Sequence, residues 1–190
     1  MKSAIIIVDM LKDSFNDEHK SPVTPFARAI TANINHLTEF ARSLSIPVIF
    51  ATDSFLTGDF IFQGKMSEHS IRGSEGAEVT DELIQRDTDL YLPKRRFSAF
   101  FKTDLDQTLR LYGVDTVAVT GLTTHWCVLT TALDAIAHDF RAYIIEDCCA
   151  SFNQEIHEST LNIYRKNPLY PLFKILTSGE FVKELQTQKT

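Results

Sequence analysis

The chain has 190 residues, 44% of them hydrophobic and 23% charged, with a net charge of −6; that length and balance suit one globular domain, 1–190, able to bury its own core. The acidic balance argues against nucleic acid as a partner, and the single basic cluster, Lys94-Arg95-Arg96, is too short for a polybasic signal. No apolar run approaches the roughly 20 residues that span a bilayer, so no membrane role is expected. Three cysteines, Cys127 alone and Cys148 beside Cys149, make no disulfide framework and point to a reducing, cytoplasmic setting.

In chain order, Ala4–Val8 is a continuous apolar run, too short for a signal-peptide core and ended by Asp9; it reads as a buried strand. Phe26, Ile30, Ile34, Leu37, Phe40, Ala41 and Leu44 recur at helical spacing and predict an amphipathic helix over about 24–44. Pro47–Ala51 is a second strand, followed by a long irregular segment, Thr52–Gly76, and a short helix expected over Val79–Ile84. Asp89–Leu92 is a short strand that delivers Lys94. A helix begins near Asp104 and stops at Gly113. Thr116–Val119, Ala142–Ile145 and Leu172–Leu176 read as further strands, with helices at Trp126–His138 and about 154–166.

Strands this apolar are buried on both faces, which predicts a mostly parallel sheet between two helical layers: an α/β/α sandwich. Open sheets of that kind bind ligands beyond the C-terminal ends of their strands. Asp9, Lys94 and Cys127 all follow such ends, so the fold would gather three residues that the sequence scatters.

Their chemistry fits together. A thiol in the first turn of a helix, as Cys127 is in Thr120-Gly121-Leu122-Thr123-Thr124-His125-Trp126-Cys127-Val128, feels unsatisfied backbone N–H groups that favour thiolate and can stabilise an oxyanion. Asp9, partly desolvated at the mouth of a hydrophobic strand, is a candidate base, and Lys94 a candidate charge stabiliser. Taken singly, each has a plainer role: a buried small hydrophobe, a turn residue, a solvated lysine.

These segments resemble the cysteine hydrolases of the isochorismatase-like fold, whose members include nicotinamidases and N-carbamoylsarcosine amidases. The matching pieces are Val8-Asp9-Met10 with Phe15 after it, Lys94-Arg95-Arg96-Phe97-Ser98-Ala99-Phe100, Gly121–Val128 followed by Thr131–Ala135, and Ile144-Ile145 before Glu146–Ala150. The resemblance runs from residue 4 to about 176. It implies a Rossmann-like sandwich with Asp9 as general base, Lys94 as stabiliser and Cys127 as the nucleophile that forms an acyl-enzyme. It also implies a cis peptide at Leu122–Thr123 that aims the N–H groups of Thr123 and Cys127 at the oxyanion. Isochorismatase proper lacks the cysteine, so Cys127 favours attack on an amide, carbamoyl or ureido group over vinyl-ether hydrolysis. No organic cofactor is implied, and the family's habit implies a homo-oligomer, dimer or tetramer.

One part of the pattern breaks. Nicotinamidases of this family hold a divalent metal through an Asp-x-His pair and a further histidine; here Asp53 and His69 stand at two of those positions, but the third is Phe55. Two ligands make a poor zinc site, and Asp59 or Glu68 are the candidates for a third. Phe55 would instead make one pocket wall apolar. Phe15, Phe55, Phe97, His125 and Trp126 are the candidate pocket residues; the aromatic ones either sandwich a flat amide or belong to the core, and His125 is either a second base or an exposed turn residue. A metal-dependent nicotinamidase, a catalytically silent binding module and a redox protein using Cys148-Cys149 are the competing readings. Adjacent cysteines at the end of an apolar strand are, however, mostly packing residues.

Overall fold

A computed structural model describes residues 1–16 and 21–187. Six parallel strands form one sheet: β1 (Ser3–Val8), β2 (Val48–Asp53), β3 (Leu90–Lys94), β4 (Thr116–Leu122), β5 (Arg141–Ala150) and β6 (Phe173–Leu176), in the order β3-β2-β1-β4-β5-β6. The order steps outward in both directions from β1 and β4, which is the doubly wound arrangement.

Side chains alternate across each strand and so build two cores. Ala4, Ile6, Val8, Ile49, Val117, Val119 and Ile144 face α3 (Leu105–Leu111), α4 (Leu129–Ala137) and α5 (Gln154–Arg165). Ile5, Ile7, Val48, Phe50, Ala118 and Ile145 face α2 (Thr24–Ser43) and α6 (Ser178–Thr187). The near-continuous apolar runs are therefore needed on both faces, as the sandwich expectation requires. A further helical turn, α1 (Lys12–Phe15), follows β1 directly.

Gly113 takes φ +65° after α3, the left-handed stop expected of it. The expected short helix over Val79–Ile84 is not there. Val79 forms an isolated antiparallel bridge to Leu11, and the Thr80 N–H donates to the Met10 carbonyl at 3.0 Å. Those contacts commit the backbone to the segment that follows β1, and Thr80–Leu83 closes as a turn. Strand β2 runs two residues past the expected end at Ala51, because Thr52 and Asp53 pair with Pro93 and Lys94 of β3. Residues 54–76 are irregular as expected, apart from an isolated bridge between Phe55 and Ile71 and 3₁₀ turns at Phe60–Gln63 and in Glu75–Ala77. Helix α6 and the turn α1 were not foreseen.

Candidate active site

Asp9, Asp53 and Lys94 end or follow three adjacent strands, β1, β2 and β3, and Cys127 lies just past β4, so all four meet at one edge of the sheet. Asp9 stands immediately after β1 with φ +51°, a left-handed conformation that aspartate tolerates better than most residues. That kink turns its carboxylate across the sheet: Oδ1 accepts the Asp53 N–H at 2.8 Å and Oδ2 accepts Lys94 Nζ at 2.8 Å.

Lys94 is the last residue of β3 and is fully buried. Its ammonium also donates to Asp53 Oδ1 at 2.5 Å. Burial alone would lower the lysine's pKa, but the charges of Asp53 and Asp9 more than reverse this and hold Lys94 well above the usual lysine range. It is a permanent cation. Asp53 is pushed up to about 7, by burial first and then by the Asp9 charge, against the pull of Lys94. Ligand atoms of Asp9, Asp53 and Cys127 all lie within 4.8 Å of one another.

Cys127 lies in a π-helical turn, Thr124–Val128, that runs into α4. The turn is tied down from the segment after β5: Thr124 Oγ1 and His157 Nδ1 are 2.8 Å apart, both buried, and His125 Nδ1 lies 2.8 Å from Ser151 Oγ. The Leu122–Thr123 peptide is cis, as the resemblance implied. The thiol is another matter. A helix N-terminus favours thiolate, yet burial pushes the Cys127 thiol well above its ordinary range, with Asp9 and Asp53 adding to the effect and Lys94 opposing it. At neutral pH the resting sulfur keeps its proton, and it needs a base to lose it.

These groups open onto a cavity of about 1050 Å³. Its walls are largely apolar, and Phe55, Phe97, Leu122, Trp126 and Phe152 line it together with Cys127. Phe97 and Trp126 pack as a tilted pair with ring centroids 5.0 Å apart, and Phe55 meets His69 edge-on at 5.4 Å. Of the expected pocket residues, Phe55, Phe97 and Trp126 line the cavity. His125 does not; its ring is held behind the turn by Ser151 and packs against Phe152. Phe15 does not either; it is buried in the core beneath α2. Phe152 was missed, although its place just past the end of β5 follows the strand-end rule that found the others. His157, missed too, had no local signal.

The donor set does not fit a zinc site. His69 keeps the posture of a ligand, since its Nδ1 lies 2.9 Å from the Ser67 carbonyl, but Phe55 offers no donor and an Asp53 oxygen is committed to Lys94. The two candidates for a further ligand are engaged elsewhere: Asp59 by Arg95, Arg96 and the Leu56 N–H, and Glu68 by the Gly58 N–H at 2.7 Å. Cys148 and Cys149 are buried on opposite faces of the sheet, and burial pushes both thiols well above their ordinary range. They are packing residues.

Comparison with known proteins agrees with this geometry. The Isochorismatase domain model matches residues 3–179. The chain belongs to the isochorismatase family. Within that family it is 31% identical over 173 residues to nicotinamidase 3 of Arabidopsis thaliana, covering 84% of this chain and 78% of that one. Among solved structures, an isochorismatase-like hydrolase from Alkaliphilus metalliredigens matches with TM-score 0.86 at 30% identity, over 97% of this chain and 100% of that one. N-carbamoylsarcosine amidase from Thermoplasma acidophilum matches with TM-score 0.80 at 29% identity, over 94% and 97% of the two chains. The protein is thus an isochorismatase-family hydrolase with amidase relatives. No helix among its described residues is long and apolar enough to cross a membrane.

Proposed function

We propose that this protein is a metal-independent cysteine amidohydrolase that cleaves the C–N bond of a small amide, carbamoyl or ureido compound. The observation that carries the reading is the placement of the Cys127 thiol within 4.8 Å of the Asp9 and Asp53 carboxylates, both bonded to Lys94, in the wall of a largely apolar cavity.

Asp9 takes the Cys127 proton as the sulfur attacks the carbonyl carbon. The oxyanion that forms is stabilised by the N–H groups of Thr123 and Cys127, with Lys94 offsetting negative charge from below. Asp9 then returns the proton to the leaving nitrogen, and ammonia or an amine departs. Water, deprotonated by the same carboxylate, hydrolyses the thioester and restores the thiol. No organic cofactor enters this cycle. The walls formed by Phe55, Phe97 and Trp126 favour a flat or apolar acyl group over a charged one. The family resemblance extends the proposal to a homo-oligomer, dimer or tetramer, the three cysteines outside any disulfide framework to a cytoplasmic setting, and the acidic balance to the absence of a nucleic-acid partner.

The test is ammonia release from a panel of small amides and ureas, comparing wild type with Cys127→Ala, each with chelator and with added zinc. Release that vanishes in Cys127→Ala and ignores chelator is the expected result. Chelator-sensitive release would replace this reading by a metal-dependent nicotinamidase. Silence across the panel, joined to a thiol that iodoacetamide does not alkylate, would favour a binding module.

A further inference from the structure

The sheet order places β2 between β1 and β3, so Asp53 sits between the two residues that a triad of Asp9, Lys94 and Cys127 treats as direct partners. It touches both. Its N–H donates to Asp9 Oδ1 at 2.8 Å, its Oδ1 accepts from Lys94 Nζ at 2.5 Å, and in the strand register it pairs directly with Lys94. The Asp9–Lys94 contact, at 2.8 Å, is the longer of the two bonds to the ammonium.

We propose that Asp53 is a positioning residue, the carboxylate that keeps the Lys94 ammonium beside Cys127 while Asp9 carries the thiol proton. The inference rests on the reading above, in which a proton passes from Cys127 Sγ to Asp9. Once Asp9 holds that proton it is neutral, and its bond to Lys94 falls from a charge-assisted one to an ordinary one. A fully buried ammonium without a charged partner is strongly disfavoured. Asp53 takes no part in the transfer. The Asp9 charge is part of what pushes Asp53 up, so once Asp9 is neutral Asp53 is the more firmly ionised and stands as the counter-ion, and Lys94 stays where the thiolate and the oxyanion need it. The lysine has two carboxylates because one of them is spent in every cycle. This also accounts for an aspartate at the end of β2 in a chain whose neighbouring ligand position is Phe55.

The test is Asp53→Asn in the full chain, which keeps shape and removes charge, read in two ways. The first is kcat and KM on whichever amide the wild type turns over best. The second is the alkylation rate of Cys127 by iodoacetamide at neutral pH, with a thermal melt as folding control. The expected result is a kcat loss of about 10- to 100-fold with KM changed less than about 3-fold. Alkylation should meanwhile become slower by about threefold or more, because an ammonium no longer held beside Cys127 stops offsetting the thiolate charge, while the melting temperature stays within about 2 °C of wild type. A slower enzyme with a less reactive thiol in an equally stable fold is not what loosened packing produces. A kcat within about twofold of wild type overturns the proposal, as does an alkylation rate that rises, or a fall in melting temperature that accompanies the losses of turnover and alkylation. If the wild type cleaves no amide, the function reading fails by itself; alkylation then decides, and a rate left unchanged by Asp53→Asn overturns the positioning role.

Discussion

At 1% exposure the Phe55 ring is packed edge-on against His69 and Phe62, and it lines the cavity beside the Asp9–Lys94–Asp53 cluster. One side chain here separates two kinds of site. With phenylalanine, the wall is apolar and His69 has no partner ligand from position 55. With an imidazole, two rings would stand about as far apart as the 5.4 Å that now separates the ring centroids of Phe55 and His69, a span that one zinc ion with bonds of about 2 Å can bridge. Phe55→His is therefore expected to bind zinc at least about tenfold more tightly than wild type in a calorimetric titration. Equal affinities would mean that Asp53 stays with Lys94 and that two imidazoles alone are not enough. Asp53 itself shows why residue-level reading of a sequence stops short. Its type suggests a metal ligand or a turn cap, and only the neighbouring strand reveals the ammonium it holds.

The element that presents Cys127 is a short π turn, and its stability comes from outside it. Thr124 and His157 are 33 positions apart in sequence and form one buried bond, and His157 is held toward its neutral form chiefly by burial. Thr124→Val keeps the shape but leaves the imidazole nitrogen buried without a partner. The expected cost is about 1–3 kcal/mol in chemical denaturation, and a change below about 0.5 kcal/mol would show that the bond contributes nothing. Other elements carried their own signals. Helix α6 begins with a complete capping box, the Glu180 carboxylate accepting the Thr177 N–H at 2.8 Å and Thr177 Oγ1 accepting the Glu180 N–H at 3.2 Å. Thr177-Ser178-Gly179-Glu180 with Phe181, Val182 and Leu185 behind it is thus a helix start written in the local sequence. The expected helix over Val79–Ile84 failed for the opposite reason: its local spacing was compatible with helix, but bridging to Leu11 and Met10 claimed its backbone first.

For the whole molecule, the buried cluster leaves a mark on stability. Asp53 has its native value raised to about 7 from an ordinary 3.8, so over that interval the folded state binds more protons than the unfolded one. The sign follows: this group contributes most below about pH 4, and its contribution is lost as pH rises toward 7. Asp59, held down to about 2 chiefly by its bond to Arg95, acts in the opposite sense but only at lower pH. Urea denaturation between about pH 5 and pH 7 should show Asp53→Asn with a flatter pH dependence than wild type; identical slopes would mean that Asp53 stays ionised throughout. The two-sided apolar strands, the helical spacing of α2 and the glycine stop at Gly113 were legible because burial and backbone preference act on neighbours in the chain. The strand-end rule then pointed to Asp9, Lys94 and Cys127 for the same reason. Which strands lie side by side is a matter of packing between segments tens of residues apart. Only the tertiary structure therefore decided that Asp53 shares Lys94 with Asp9, that His157 anchors the cysteine turn, and that Cys127 is buried beside two carboxylates, where burial pushes its thiol up.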